Sequence, residues 1–381
     1  MPTVIVYAGR SPTGDRGLMP VREFVKNDIP QVVDLYWSHL GIREGTPPPE
    51  LHAAFADLYF SNPLSDGAYP SYVYQNQEGR IVGFLGMTTR KMWLGGEAVR
   101  VGFGGNFVVH PKARSGLATP RLLGAVLNGS QDILLTDSAN DMSKPVLEKV
   151  GFTVVPALNV HWSRPLRAGH YAAYLVYRKL SPGMGGALRI ASKPFCSVID
   201  RIPGTPWVSL PETKNHLESS DLSPEVLHQC LVELGNHQAF RPEYNPASLD
   251  WLMAFMERNR KRGTLAKALL RDESGRIAGW YIYYINRGAV GEVVQIGGRR
   301  ELYQDVLAHL LSHARKQGMI ALHGQVELDK MADFSDAGCF FSCRGGWVLA
   351  YSRNPEIIKT LQTSHINLSR LDGEWCLHPG E

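Results

Sequence analysis

The stretch HPKARSGLATPRLL, residues 110–123, sets a proline, two cations and a glycine directly before an apolar pattern of helical period. N–H groups in the first turn of a helix lack internal acceptors, and the helix dipole adds about half a positive charge there. The backbone of Ser115, Gly116, Leu117, Ala118 and Thr119 is therefore a candidate cradle for phosphate oxygens. Ser115, Gly116 and Ala118 are small enough for close approach, and Lys112 and Arg114 supply side-chain charge. An ordinary strand-to-helix turn has the same letters. Nearby stand three groups suited to proton handling or water orientation: Asn106 in GFGGN, His110 at the loop's start, and Asp137 at the end of ILLTD. Asp137 also reads as a turn residue and His110 as a surface histidine.

The elements that must position these groups are legible from periodicity. PVREFV (20–25) alternates like a strand, and Asn27 or Asp28 can cap a helix carrying Ile29, Val32, Val33, Leu35 and Tyr36. PELHAAFADLYF reads as a second helix with Pro49 in its first turn. Residues 69–111 then read as three antiparallel strands with turns at NQEG and LGGE. DILLTDS reads as a short buried strand and NDMSKPVLEKVGF as a helix leading into a last strand pair within FTVVPALNVHWSR.

A second unit echoes the first. EGRIVGF at 78–84 returns 196 residues later as SGRIAGW at 274–280. The helix at 246–261 before it, and GEVVQIGG, YQDVLAHLLSHARKQG and MIALHGQV after it, repeat the earlier order. The expected class is α/β (α+β), two mixed sheets flanked by helices. The expected units are 1–165, a helical connection over 166–245, and a second copy over 246–381.

Composition narrows the field. The 381 residues suggest two or three domains. A net charge of +4 leaves no strongly basic face for nucleic acid. No apolar run reaches the ~18 residues of a membrane span, and MPTVIVYAGR does not read as a signal peptide. Five scattered cysteines argue against a disulfide framework, so a cytoplasmic protein is expected. The pair in GCFFSC, Cys339 and Cys343, reads as buried thiols rather than a metal site.

Element order and the segment Val108–Leu123 resemble the GNAT acyltransferase family. Its signature ends the fourth strand in V-x-P and opens the next helix with R-x-x-G-x-G/A. Val109, His110 and Pro111 match the first part, and Arg114, Gly116 and Ala118 supply the residue types of the second with a spacing one residue shorter. Asn140, Glu148, Lys149, Gly151 and Phe152 fall in register with the family's N-x-x-A…Y-E-K-x-G-F helix. The resemblance implies acyl-CoA, with acetyl-CoA as the expected co-substrate, and a small amine such as an amino sugar or amino acid as acceptor. It implies pyrophosphate on the cradle, Asn140 against the CoA arm, and the thioester oxygen near the N–H groups of Phe107, Val108 and Val109. It implies no metal. Two features depart from the family: its usual tyrosine acid is Leu147 here, and its strand-four carboxylate positions read Gly104, Gly105 and Asn106. Asp137, Asn106 and His110 remain the candidates for moving the amine proton or orienting the acceptor. The second copy lacks the cradle, reading GGRRELYQDVL, and is expected to shape the acceptor pocket. Trp280, Tyr281, Tyr283 and Tyr284 suit a sugar site or a core strand, and the tail LSRLDGEWCLH suits a cover over the acceptor or a solvated turn. The alternatives are a CoA-binding pseudoenzyme and a Fem-type transferase using aminoacyl-tRNA.

Overall fold

The computed structural model describes residues 21–39, 45–65, 67–114, 116–180, 188, 195–200, 209–212, 216–235, 239–343, 346–363 and 366–379. In the first unit β1 (Val21–Glu23), β2 (Tyr72–Gln75), β3 (Ile81–Leu94), β4 (Glu97–Val109) and β5 (Ile133–Ala139) lie side by side in chain order. β1 to β4 are antiparallel, and β5 pairs parallel to β4 after the crossover helix α3. The β3–β4 turn needs Gly95 and Gly96, both at positive φ (60° and 91°). Helices α1 (Ile29–His39) and α2 (Pro49–Phe60) close one face through Val32, Val33, Phe55 and Phe84. α3 (Ala118–Leu127) covers the other with Ala118, Leu122, Leu123 and Val126, an apolar stripe at helical spacing. The expected cap of α1 takes a different form. Asp28 accepts from the backbone of Val25 (3.0 Å) and from Arg22 (2.6 Å), closing a 3-10 turn that leads into the helix.

Beyond β5 the chain does what the sequence pattern does not show. α4 (Lys144–Lys149) leads to β6 (Thr153–Val154), and a 3-10 turn separates this from β7 (His161–Pro165). The two are not a strand pair. β7 leaves for the second sheet, whose order is β14 (Phe340–Ser342), β7, β13 (Ala321–Gln325), β12 (Val290–Gly298), β11 (Ile277–Ile285), β10 (Thr264–Arg271), β8 (Glu218–Asp221). In return β15 (Trp347–Tyr351) enters the first sheet between β5 and β6, antiparallel to both. The buried face of Trp162 on β7 packs against Phe334 of the second unit, and Leu349 on β15 packs in the first unit's core. Each unit thus lends one interior strand to the other.

The second sheet repeats the first element by element: β8 (Glu218–Asp221), β10 (Thr264–Arg271), β11 (Ile277–Ile285), β12 (Val290–Gly298) and, parallel to it, β13 (Ala321–Gln325). Helices Pro224–Gly235 and Pro246–Arg258 stand where α1 and α2 stand in the first copy, and Tyr303–Lys316 stands for α3. The duplication therefore extends upstream of residue 246 to β8. The segment expected as a helical connection also holds β9 (Phe240–Pro242), which pairs with the far end of β3. Tyr281 and Tyr283 pack on the side of helix Tyr303–Lys316, and Trp280 and Tyr284 on the side of the two preceding helices, as strand alternation requires. Cys339 is buried, whereas Cys343, beyond the exposed strand β14 (Phe340–Ser342), is not. Among the described residues no helix is long and apolar enough to cross a membrane.

Strand exchange makes each sheet depend on the whole chain. A fragment ending at residue 165 lacks β15, leaving the outer edge of β5 open and β6 without its partner. Such a fragment is expected to lose cooperative unfolding and near-UV circular dichroism, and a sharp cooperative transition would contradict this. In the full chain Leu349→Ala, at a site with no exposure, is expected to cost about 2–5 kcal/mol in urea unfolding.

Candidate active site

The pairing of β4 with β5 stops at Phe103 opposite Leu135, and the strands then part. The cause is a bulge. Gly86 faces Gly105 and Phe84 faces Val108, so three steps of β4 span two of β3. At its centre Asn106 has φ of +51°, a conformation costing about 1–3 kcal/mol outside glycine. Its side chain anchors that turn by donating to the Tyr59 hydroxyl at 2.8 Å. The glycines beside it are explained by close neighbours: a Cβ on Gly86 would strike the Tyr59 hydroxyl, and one on Gly105 would strike the Glu374 carboxyl.

Glu374 belongs to the C-terminal tail, which is no solvated turn. It runs through the gap beside β4 and β5. Glu374 Oε1 accepts from Thr136 (2.8 Å) and Ser138 (2.6 Å), and the Trp375 amide donates to Asp137 Oδ2 at 3.3 Å. Arg90 on β3, 2% exposed, donates to the carbonyls of Leu371 (3.1 Å) and Gly373 (3.0 Å) and to the Tyr244 hydroxyl (3.1 Å). Tyr244 in turn donates to Asp372 (3.0 Å). Trp375 lies between the guanidinium groups of Arg262 (3.7 Å) and Arg370 (4.6 Å), and Arg370 pairs with Glu292 on β12. The tail is pinned to both units.

Polar atoms without hydrogen-bond partners gather at this place: Thr88 Oγ1, Asn106 Oδ1, Asp137 Oδ1, Glu374 Oε2 and His378 Nδ1. Thr88, Asn106, Glu374 and His378, with Tyr59, Phe103 and Leu377, line a small cavity of about 10 Å3. Orphaned buried polar atoms are costly one at a time, and the meeting of five at one gap makes it a candidate ligand site. Burial holds the carboxyls of Glu374 and Asp137 above their ordinary range, and the nearness of Asp137 lifts Glu374 further. Burial beside Arg262 pushes His378 down to about 4, so it stays neutral. Burial also raises the Tyr59 phenol, which keeps its proton. Among the described residues no cluster of three His, Cys, Asp or Glu side chains could hold a metal ion.

The residues singled out in the sequence separate into three groups. Asn106 and Asp137 lie at the gap, with Phe107, Val108 and Val109 continuing β4 along it. Asp137 holds the tail, which is a different task from capping a turn. His110 lies outside, its Nδ1 accepting from the Lys112 amide at 3.3 Å in a 3-10 turn. The cradle follows: Arg114 donates to the Val109 carbonyl (3.1 Å) and to His39 (2.7 Å), and Gly116, Leu117, Ala118 and Thr119 lead into α3 with Pro120 in its first turn. Ser115 lies outside the described residues. Asn140 accepts from the amides of Met142 (3.0 Å) and Ser143 (2.9 Å), so here its side chain closes the turn before α4. Tyr59 and Arg90 gave no signal in the sequence, and His378 only as the end of the tail, because nothing local reveals what the tail meets.

No protein-family model matches the chain, and no curated protein matches it. Solved structures do resemble it. A GCN5-related N-acetyltransferase from Anabaena variabilis superposes with a TM-score of 0.60 at 12% identity, over 89% of this chain and 74% of that one. A conserved protein from Enterococcus faecalis described as a probable N-acyltransferase gives 0.59 at 12%, over 88% and 73%. N-myristoyltransferase from Saccharomyces cerevisiae, with bound myristoyl-CoA, gives 0.53 at 11%, over 90% and 80%. At such identities the likeness is one of fold, and it spans both units. The chain thus carries the fold of the GCN5-related N-acetyltransferases in two copies that exchange a strand.

Proposed function

We propose that the chain is an acyl-CoA-dependent N-acyltransferase whose first copy carries out the transfer. The observation that carries this reading is the convergence of unpartnered polar atoms on the gap opened by the Asn106 bulge. Main-chain amides of β4 along Phe107 to Val109 are the candidates to receive the thioester oxygen as it gains charge. The loop from Arg114 to Thr119 is the candidate seat for the CoA pyrophosphate, with Arg114 and Lys112 as its cations.

The amine must lose a proton to attack, and the thiolate must gain one to leave. Glu374 with Asp137 is the proton-accepting pair on this reading. Two carboxyls enclosed together cannot both ionise readily, so one proton is held into the neutral range and the pair exchanges it there. This replaces the carboxylate missing from β4. Tyr59, whose phenol stays protonated and accepts from Asn106, is the acid on this reading where the family tyrosine is Leu147. The space at the gap beside Leu377 and His378 is small, and acetyl-CoA is the expected donor. The acceptor is proposed to be a small amine.

Thiol release from acetyl-CoA over a panel of small amines tests the reading. Glu374→Gln is expected to lower kcat by about a hundredfold or more, the scale of lost acid–base catalysis, with little change in KM for acetyl-CoA. Arg114→Glu is expected to raise that KM about tenfold or more while leaving kcat nearly intact. Myristoyl-CoA is expected to be a poor donor. Turnover unchanged in Glu374→Gln would remove the pair from the mechanism.

Stability supplies an independent check. Both carboxyls have folded-state values above their unfolded ones, so the folded chain holds more protons. Stability is then full at pH values below the ordinary carboxyl range of the unfolded chain. It falls as pH rises from that range through the raised folded values toward neutrality. Glu374→Gln, which mimics the protonated side chain, is expected to flatten this slope and to hold or raise the melting temperature at neutral pH. A steeper slope in the variant would contradict the assignment.

A further inference from the structure

The second copy is differently furnished. β12 and β13 pair only as far as Glu292 opposite His323, and near the end of β12 a cavity of about 200 Å3 lies between the two units, with Trp280, Gln295 and Glu327 on one side and Trp93, Arg241 and Tyr244 on the other. The cavity at the first copy's gap is much smaller, about 10 Å3. The second copy has no phosphate cradle. Arg300 is paired with Asp333, and Arg299 donates to the Ile277 carbonyl at 2.7 Å.

The lining is ordered. Trp280 lies flat across β12 because residue 297 is glycine, and a Cβ there would strike the indole ring. The indole N–H donates to Gln295 at 3.0 Å, whose amide nitrogen donates to Ser369 at 3.1 Å. One wall of the cavity is therefore a fixed aromatic plate. From the other unit Trp93 and Arg241, opposite each other in the β3–β9 register, add an indole with a guanidinium 5.4 Å over it. Tyr244 completes that side.

Arg241, Glu327 and the solvent-exposed Glu243 line the cavity without an ion-pair partner among the described residues, and Glu327 accepts a hydrogen bond from Asn367. Arg241 has no carboxylate partner among the described residues, and its guanidinium rests on Trp93 alone. Glu327 has no cation bonded to it among the described residues. Lys330, the nearby candidate, donates instead to Asp329 at 2.8 Å and sits over Tyr303. Burial and the nearness of Asp329 push the Glu327 carboxyl up to about 7, the mark of a carboxylate short of positive charge. Asp372 uses both oxygens, on Tyr244 and on Ser369. A single ligand that meets what remains carries a carboxylate for Arg241, an ammonium for Glu327, and a flat apolar body for the aromatic walls.

We propose that this cavity is a binding site for a zwitterionic amino compound with a planar apolar side chain, the chemistry of an aromatic amino acid. The site goes beyond the transfer reaction and does not depend on it. Binding is measured without acyl-CoA, so its failure leaves the transfer reading standing, and failure of transfer leaves the site standing.

Titration calorimetry on the full chain with L-phenylalanine, phenethylamine and 3-phenylpropionate tests it, since each of the last two lacks one charge. L-phenylalanine is expected to bind at least tenfold tighter than either. Arg241→Gln is expected to reduce it to the level of phenethylamine, and Glu327→Gln to the level of 3-phenylpropionate. Unchanged melting temperatures would show that both variants fold, and Trp280→Leu serves as a second probe of the aromatic wall if either does not. No binding by any of the three compounds to the folded wild-type chain would overturn the proposal, as would L-phenylalanine affinity indifferent to both charge variants. Adding acetyl-CoA then distinguishes two sources of the same chemistry. Formation of N-acetylphenylalanine makes the bound compound an acceptor, and binding without product makes it an effector, with the site upheld in either case.

Discussion

The pairing of β15 with β5 is the interaction on which the rest depends. Leu349 opposite Thr136 and Ala350 opposite Leu135 fix the end of the second unit inside the first unit's sheet. The chain that follows comes back to the gap between β4 and β5, where Glu374 meets Thr136 and Ser138. The reciprocal placement of β7 in the second sheet makes the arrangement close on itself. A carboxylate supplied from the far end of the chain thus stands where β4 itself carries only glycine and asparagine.

The tail is held by more than its carboxyl. Arg90 gathers two of its carbonyls, Trp375 is gripped between two guanidinium groups, and Arg370 reaches Glu292 in the other sheet. Burying this much charge is costly unless each group is paired, and the pairs observed are mostly to backbone or aromatic faces. Unpartnered buried polar atoms also occur elsewhere among the described residues, at Asn62, His161, Trp162 and Asn259, but five of them meet at the gap.

Much of the first unit was legible in the sequence, because α1, α2, α3 and β2 to β5 are built from local periodicities and turn glycines. The echo of GRIVGF in GRIAGW marked the duplication, since Ile81 and Ile277 open equivalent strands. The bulge and its glycines were visible as letters, though their cause was not: Gly86 and Gly105 are small for Tyr59 and Glu374, neighbours remote in sequence. Strand exchange left no local trace, so β6 and β7 read as a pair when each belongs to a different sheet. For the same reason Asp137 was found and its partner Glu374 was not placed with it, although the cluster of Arg370, Asp372, Glu374 and Trp375 was conspicuous. His110 and Asn140 show the converse. Their types suited chemistry, and their contacts are those of ordinary turn residues.

The central claim is that the gap in the first copy, closed by Glu374, is where acyl transfer takes place. A crystal structure of the full chain with a non-hydrolysable acetyl-CoA analogue tests it most directly. The account predicts the acetyl carbonyl against the main chain at Phe107 to Val109, the pyrophosphate at the start of α3, and Glu374 still bonded to Thr136 and Ser138 facing the acetyl group. An analogue bound elsewhere, or one that enters the gap only by expelling Glu374 from it, would contradict the account.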